Sequence, residues 1–226
     1  MSDVYDTEVC LRREVSMVRK VNLFIKRLFD IVVSLIGIVI CLPFWLITVV
    51  LMKITMPGPI FFKQERIGRR FESFNVLKFR TMKVDNEAES KFQIEKDKQR
   101  ITTLGKVLRR TKIDETPQLI NVLVGDMSLV GPRPTVRQRV EEFYEGQELR
   151  LQMRPGMTGI SQVSGNVLLS WPRRIKYDCE YVKTFNVWKD IVILFKTVNV
   201  VIFGEEKYIS KEDLEDHKNP FYDIVR

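Results

Sequence analysis

The sequence predicts an α+β fold that is mostly helical, and three patterns indicate it. The 22 residues Ile31–Met52 carry no charge, and as a helix they reach about 33 Å, enough to cross a hydrocarbon core. Two short runs, Ile60–Arg66 and Phe74–Met82, lie on either side of Gly68 and predict a small β-hairpin. Longer segments with apolar residues at helical spacing follow. We therefore expect a membrane helix, a small hairpin and interfacial amphipathic helices around a compact core.

The composition excludes several kinds of functional site but does not identify the function. The chain has 226 residues, enough for one domain with a real core. Its formal net charge of +8 fits a polyanionic partner, which is nucleic acid, anionic lipid or a nucleotide-linked substrate. The cysteines Cys10, Cys41 and Cys179 are scattered, and the one histidine is His217. A disulfide framework, a zinc site and a Ser-His-Asp triad are therefore not expected.

Two topologies fit the apolar run, a spanning helix and a hairpin that dips into the bilayer and returns. Pro43 falls inside the run and removes one helical hydrogen bond. Lys20, Lys26 and Arg27 precede the run, and eight Lys or Arg against two Glu lie between positions 53 and 83. Because basic flanks favour the cytoplasmic side, a re-entrant helix broken at Pro43 satisfies both flanks and a spanning helix does not.

This topology gives a simple layout. We expect an N-terminal tail at 1–25, a re-entrant membrane helix at 26–56, a cytoplasmic domain at 57–204 and a polar C-terminal tail at 205–226. A cleaved signal peptide fits poorly, because the apolar run starts late and is too long.

Four further segments are assigned from their patterns. Val136–Met153 has the composition of an amphipathic helix. Asn186–Phe203 is rich in β-branched residues, so propensity alone allows a strand, but its length favours a helix. Lys83–Gln99 is highly charged and is expected to be a solvated loop or helix. Lys106–Arg110 is expected to be helical and to present Arg109.

The residues Leu108–Pro134 contain the strongest candidate for a site. Asp114 and Glu115 are adjacent carboxylates that follow Arg109 and Arg110. Guanidinium groups supply donors suited to phosphate oxygens. A carboxylate kept ionised among such cations can act as a nucleophile or bind a metal. The alternative is that the pair only complements the dipole of the helix that follows.

That helix is predicted over Pro117–Leu123. Thr116 is a good N-cap, Pro117 suits the first helical position, and Gly125 is a plausible stop signal. The two carboxylates would then lie just before a helix N-terminus, where unpaired N–H groups favour anions.

Four short motifs follow one another at fixed spacing in this stretch. They are Asp114-Glu115-Thr116-Pro117-Gln118-Leu119, Asn121-Val122-Leu123, Gly125-Asp126-Met127-Ser128 and Gly131-Pro132-Arg133-Pro134. Together they closely resemble the core motif of the monotopic phosphoglycosyl transferases, the bacterial sugar transferase family. The resemblance covers roughly Lys26 to Gly204 and is closest to the small single-domain members.

Matches and departures elsewhere refine the resemblance. Matching positions are Gln64, Arg66, Gly68, Phe74, Lys78-Phe79-Arg80, the loop Arg154–Ile160, Trp171, Tyr177-Asp178 and Tyr181-Val182. Ser161 and Asn166 stand where many members have Trp and Arg. These two losses separate the chain from members whose substrate assignment depends on that pair.

The resemblance implies transfer of a sugar-1-phosphate from a UDP-sugar to polyprenyl phosphate, with release of UMP. Asp114 would be the nucleophile that forms a phosphosugar-aspartate, and Glu115, with Asp114, would bind Mg²⁺ or Mn²⁺. Arg109, Arg133 and Lys78 would hold phosphate oxygens. Asp178 is either a second active-site carboxylate or a structural cap or salt bridge.

The resemblance also implies a location and partners. The expected place is the cytoplasmic face of the bacterial inner membrane, in contact with membrane lipids. No nucleic-acid partner is expected, and a homodimer is one candidate assembly.

Two rival functions remain at this point. One is a non-catalytic, membrane-anchored scaffold with a basic surface, which has no need for the Asp114-Glu115 pair. The other is a metal-dependent lipid-diphosphate phosphatase, which would release phosphate instead of UMP.

Overall fold

The computed structural model describes residues 17–83, 100–141 and 146–213. Within them the chain is mostly helical, with two small two-stranded sheets, and this confirms the predicted α+β class. Most of the segment predicted as a charged loop or helix at 83–99 lies outside the described residues, as do residues 1–16 and 214–226.

The first helix, α1, runs from Met17 to Thr55 and is continuous through Pro43. It begins inside the stretch predicted as an N-terminal tail. Among the described residues it is the one helix long and apolar enough to cross a membrane, by length and composition. Its re-entrant path remains a prediction.

One face of α1 packs on the rest of the chain, and the other faces outward with apolar side chains. The buried residues on the packed face are Lys26, Asp30, Ser34, Thr48 and Met52. Lys26 Nζ donates to Val130 O at 2.8 Å and pairs with Asp190 Oδ2 at 2.5 Å. Asp30 accepts from Ser128 Oγ at 2.7 Å. Because buried charges need partners, these contacts fix α1 against the domain.

The predicted hairpin is present. Strand β1 (Phe61–Ile67) pairs antiparallel with β2 (Ser73–Phe79), with Phe62 opposite Lys78 and Arg66 opposite Phe74. Directly opposed residues share a face of the sheet, and side chains alternate along each strand. Arg66 and Lys78 therefore lie on the same face as Val76, which is buried in the core.

The predicted site stretch forms two helices joined by a tight turn. Helix α2 covers Thr103–Arg110, and α3 covers Gln118–Val124. Gly125 ends α3 at φ +104°, as predicted for a stop. The predicted Thr116 cap is wrong: Pro117 is the flanking residue and no side chain caps the helix. Thr116 Oγ1 donates to Ile113 O at 2.7 Å instead.

The second sheet joins the segment after the site to the loop at 154–160. Strand β3 (Ser128–Val130) pairs in parallel with β4 (Gly156–Thr158). Between them lie a short helix α4 (Arg137–Glu141) and a 3₁₀ helix (Gln147–Gln152). The continuous helix predicted over Val136–Met153 is therefore wrong. The 3₁₀ helix begins after Gly146, whose φ of +84° is incompatible with a straight helix.

Three helices complete the domain. They are α5 (Ile160–Val163), α6 (Trp171–Thr184) and α7 (Val187–Phe203). The helix predicted over Asn186–Phe203 is confirmed, and Asn186 Oδ1 caps it by accepting from Lys189 N at 2.9 Å.

Helix α7 has an outward apolar face. Its exposed large residues are Trp188, Val192, Phe195, Val198, Val201, Ile202 and Phe203. The main core lies beneath α3, β3 and α6, and includes Val122, Met127, Val130 and Val182.

Candidate active site

The turn between α2 and α3 presents the two carboxylates. Lys112 adopts φ +58°, which reverses the chain after α2, and Ile113–Glu115 then forms one 3₁₀ turn. Asp114 and Glu115 occupy this turn, so their side chains are held by backbone geometry rather than by a flexible loop. Short 3₁₀ turns of this kind often join or end α-helices.

Asp114 is 8% exposed, and its Oδ1 is buried with no hydrogen-bond partner among the described residues. Burial raises the pKa of this carboxyl, and the neighbouring Glu115 raises it further. Lys78, Arg109 and Lys112 oppose that rise in pKa. An unsatisfied buried acceptor costs about 1–3 kcal/mol. This cost is a reason to expect a partner for the oxygen that the described residues do not supply.

Glu115 differs from Asp114 in that it is more exposed and has an ion-pair partner. Its Oε1 pairs with Lys78 Nζ at 2.7 Å, and its side chain is 36% exposed. Burial acts to raise the pKa of Glu115, but Lys78, Lys112 and Arg133 outweigh burial, so the pKa lies below its ordinary value. Two neighbouring carboxyls with pKa values displaced in opposite directions are suited to different roles.

Cations reach this turn from three different elements. Lys78 comes from β2, Arg109 from the end of α2, and Arg133 from the loop after β3. Arg109 Nε donates to Thr81 Oγ1 at 2.9 Å, and its two Nη groups form no hydrogen bond with any described residue. The structure thus brings Lys78, Arg109 and Arg133 around the dyad.

Arg133 is held at both its backbone and its side chain. Its N–H donates to Asp178 Oδ2 at 3.2 Å, and its carbonyl accepts from Arg150 Nη2 at 2.7 Å. Its Nη1 donates to Asn166 Oδ1 at 2.6 Å. Arginine side chains have many rotamers, so these contacts select one orientation of the guanidinium.

Asp178 lies behind Arg133 and is 1% exposed. It pairs with Arg150 Nη2 at 2.5 Å, and its Oδ1 accepts from Ser161 Oγ at 2.8 Å. Both oxygens are therefore engaged within the chain. This geometry favours the structural alternative for Asp178, because neither oxygen is left for a substrate.

Sequence reasoning gave no role to several residues that support the site. Asn166 and Ser161 were noted only as departures from the family pattern, yet they hold Arg133 and Asp178. Arg66 also belongs here, since burial and the charge of Arg133 both lower its pKa. The alternation along β1 and β2 could have identified Arg66, because it shares a face with Lys78.

The dyad fits Mg²⁺ or Mn²⁺, which take oxygen ligands, better than zinc or copper. The described residues contain no cluster of three or more His, Cys, Asp or Glu side chains. Mg²⁺ is usually bound by one or two carboxylates, with water and substrate phosphates completing its shell. The unpartnered Asp114 Oδ1, beside Glu115, supplies such a pair. The residues present therefore fit an ion that arrives with a diphosphate.

The membrane helix touches this site directly. Trp45 Nε1 donates to Thr116 Oγ1 at 2.7 Å, one residue after Glu115. A Cβ on Gly37 would lie 3.1 Å from Leu119 Cδ1, so Gly37 lets α3 approach α1 closely. A site so close to an apolar helix is well placed for a substrate that resides in lipid.

Sequence comparisons relate this chain to known proteins. A family described as bacterial sugar transferase matches residues 21–204. The undecaprenyl-phosphate galactose phosphotransferase of Salmonella typhimurium is 38% identical, over 92% of this chain and 47% of its own length. The exopolysaccharide production protein ExoY of Rhizobium meliloti is 35% identical, over 86% of this chain and 93% of its own length.

A third relative is named for a different sugar. The UDP-glucose:undecaprenyl-phosphate glucose-1-phosphate transferase of Klebsiella pneumoniae is 38% identical, over 79% of this chain and 40% of its own length. The chain thus spans about half the length of the Salmonella protein and nearly all of the Rhizobium protein.

Proposed function

This chain belongs to the bacterial sugar transferase family, and we propose that it transfers a sugar-1-phosphate from a UDP-sugar to a polyprenyl phosphate. The observation that carries the proposal is the buried Oδ1 of Asp114, which has no hydrogen-bond partner among the described residues and lies near Lys78, Arg109 and Lys112. The names of the relatives support undecaprenyl phosphate as the acceptor.

The reaction proceeds in two displacements. A carboxylate oxygen of Asp114 attacks the β-phosphorus of the UDP-sugar, and the bond from that phosphorus to the bridging oxygen breaks. UMP leaves with the bonding electrons, and a phosphosugar-aspartate forms. An oxygen of the polyprenyl phosphate then attacks the same phosphorus and restores the Asp114 carboxylate. Splitting the transfer lets one site serve a soluble donor and a membrane acceptor in turn.

The cations have separate tasks in this scheme. Arg109 and Arg133 bind oxygens of the donor diphosphate, where charge builds up as UMP leaves. Lys78 holds Glu115 through their ion pair and lies beside the same oxygens. Asp114 must be ionised to attack, and Lys78, Arg109 and Lys112, which act to lower its pKa, oppose the effect of burial.

Asp114 and Glu115 would hold the Mg²⁺ together with substrate phosphates. When bound, the ion neutralises phosphate charge and so makes the β-phosphorus easier to attack. Mn²⁺ has similar ligand preferences and can replace it.

The membrane arrangement of the proposal is a re-entrant α1 on the cytoplasmic face of the inner membrane. Its support is that both halves of α1 contact the same domain. Arg19 Nη2 donates to Val182 O at 3.1 Å near the start, and Trp45 contacts Thr116 beyond Pro43. With the apolar face of α7 lying at the interface, the dyad sits at the height of lipid phosphates.

The test is a panel of UDP-sugars incubated with undecaprenyl phosphate and the full chain. UDP-galactose and UDP-glucose come first, because relatives are named for those sugars. We expect UMP and a lipid-linked diphosphosugar from at least one donor, and neither from Asp114→Asn. Release of inorganic phosphate from a lipid diphosphate without a donor would support the phosphatase. No product with any donor would support the scaffold.

A further inference from the structure

The chain folds back onto the domain after the last residue of the family match. Gly204, at φ +88°, turns the chain at the end of α7, and Glu205–Lys207 forms a 3₁₀ turn. This turn contacts the 3₁₀ turn Asn166–Leu168. We call residues 205–213 the strap. Sequence reasoning treated it as part of a polar tail without a role.

Asp213 anchors the strap to α6. It is 1% exposed although its neighbours in the strap are polar. It accepts from Arg173 Nε and, at 2.8 Å, from the Tyr177 hydroxyl. Arg173 and Tyr177 are four residues apart on α6 and therefore share a face of that helix. Ser210 Oγ also donates to Asp213 Oδ2 at 2.7 Å and accepts from its N–H at 3.0 Å, which starts a helical turn.

The strap also packs against the loop that contains Asn166, the residue that contacts the Arg133 side chain. Ile209 lies against Gly165, where an added Cβ would be 3.2 Å from the Ile209 Cβ. Gly165 has φ +127°, so any other residue there would be strained as well as crowded. The next residue is Asn166, whose Oδ1 accepts from Arg133 Nη1. The strap is thus linked to Arg133 through Gly165 and Asn166.

Asn166 itself adopts a left-handed backbone conformation. It has φ +46° and is 9% exposed. Asparagine enters this left-handed region more readily than most non-glycine residues, and contacts with the surrounding structure select it here. The loop is held on its other side by Arg174, which donates to the carbonyls of Val167 and Leu169, each at 2.9 Å. The strap and α6 therefore clamp the loop from two sides.

We propose that the strap and Asn166 form a positioning device for Arg133. Asn166 orients the Arg133 guanidinium, and the docked strap keeps Asn166 in its left-handed conformation. Asn166 does not contact the reacting atoms in this scheme, so it is a positioning residue. The proposal rests on the proposed function only in assigning the donor diphosphate to Arg133.

The first measurement is amide hydrogen exchange of the full chain in lipid nanodiscs, which needs no substrate. Asp213→Ala removes the anchor of the strap, and we expect exchange of residues 164–168 to become about tenfold faster. Lys211→Gln is the matched control, because Lys211 is an exposed strap residue outside these contacts. Unchanged exchange at 164–168 in a folded Asp213→Ala protein would overturn the proposal.

The second measurement is a double-mutant cycle on steady-state kinetics. Asp213→Ala and Asn166→Ala should each lower kcat/KM for the UDP-sugar about tenfold, because a misplaced Arg133 guanidinium stabilises the charge on the donor diphosphate less well. If the strap acts through Asn166, the double variant should resemble Asn166→Ala alone. If the fold-changes of the two single variants instead multiply in the double variant, the strap acts independently of Asn166, and the proposal is overturned.

A milder variant covers the case in which Asp213→Ala does not fold. Tyr177→Phe removes one donor to Asp213 and leaves the ring in place, so exchange at 164–168 should rise about threefold. No change in a folded Tyr177→Phe protein would again count against the strap. If the wild-type chain releases no UMP with any donor, the proposed function fails, and the exchange data still decide whether the strap holds the loop.

Discussion

Trp45 in the apolar helix donates its indole N–H to Thr116, the residue directly after Glu115, at 2.7 Å. This hydrogen bond joins the membrane segment to the turn that carries both candidate catalytic carboxylates. The Trp45 ring also packs edge-on against Phe79, with ring centroids 6.2 Å apart. Trp45 therefore links α1 both to the turn that carries the dyad and to β2, the strand that carries Lys78.

Removing that hydrogen bond should weaken both stability and acceptor use. We expect Trp45→Phe to lower the free energy of unfolding by about 1 kcal/mol or more, because the N–H donor is lost and the smaller benzene ring fills less space than the indole. We expect KM for polyprenyl phosphate to rise and KM for the UDP-sugar to stay close to wild type. Thr116→Val removes the same bond from the other side. If the two changes add fully in the double variant, the bond does not couple the helix to the site.

Asp114→Asn should abolish turnover and leave folding and membrane association intact. The amide is nearly isosteric with the carboxyl, but it cannot act as the nucleophile. Asp114→Glu should also fail, because the added methylene displaces the attacking oxygen beyond what such a site tolerates. The measurement is UMP release with thermal unfolding as the folding control. UMP release at the wild-type rate from Asp114→Asn would exclude Asp114 as the nucleophile.

Activity should require Mg²⁺ or Mn²⁺. EDTA should remove it, and either ion should restore it, because hard oxygen ligands and a diphosphate define the site. Glu115→Gln should lose most activity and need more metal for half-maximal rate. Lys78→Gln removes the ion pair with Glu115 but leaves both carboxylates in place. It therefore separates the effect of losing the ion pair from the effect of losing a metal ligand. Full activity in EDTA would remove the metal from the mechanism.

Asp178 gives a test between the two roles that the sequence left open. Asp178→Ala takes the carboxylate away from buried Arg150, and we expect a loss of about 3 kcal/mol or more in the free energy of unfolding. Asp178→Asn should retain much of kcat/KM if the residue only holds Arg133 in place. Glu180→Gln, at an exposed position on the same helix, is the control. Complete loss of kcat in a stably folded Asp178→Asn protein would indicate an active-site role.

Local patterns were enough to predict the hairpin, α3 and α7, because alternation and helical spacing depend on neighbouring residues. The N-cap at Thr116 failed for a tertiary reason: its hydroxyl bonds Ile113 and Trp45 instead. The contact between Arg133 and Asn166 joins positions 33 residues apart, and no periodic pattern signals such a pair. The dyad itself was found through its motif, whereas the burial of Asp114 depends on how the surrounding elements pack.

The path of α1 through the membrane can be tested by cysteine labelling. We expect the N-terminal tail and the catalytic domain to lie on the same, cytoplasmic, side, because Pro43 interrupts the hydrogen bonding of the apolar run and both flanks are basic. Single cysteines near Val4 and near Glu87 are introduced into a chain that lacks Cys10, Cys41 and Cys179. Both should resist a membrane-impermeant thiol reagent in intact cells and react once the membrane is opened.

The same assay also defines the result that would contradict this topology, and it can be applied to a Pro43 variant. Labelling near Val4 from outside, without labelling near Glu87, would mean that α1 spans the membrane. Pro43→Leu restores the missing N–H donor and removes the steric cause of a bend. We expect this variant to move some molecules to a spanning form with the N-terminus outside, because the catalytic domain is the larger part to translocate. In a spanning form with the N-terminus outside, Lys26 would lie across the membrane from Val130 and Asp190, so those molecules should also lose UMP release.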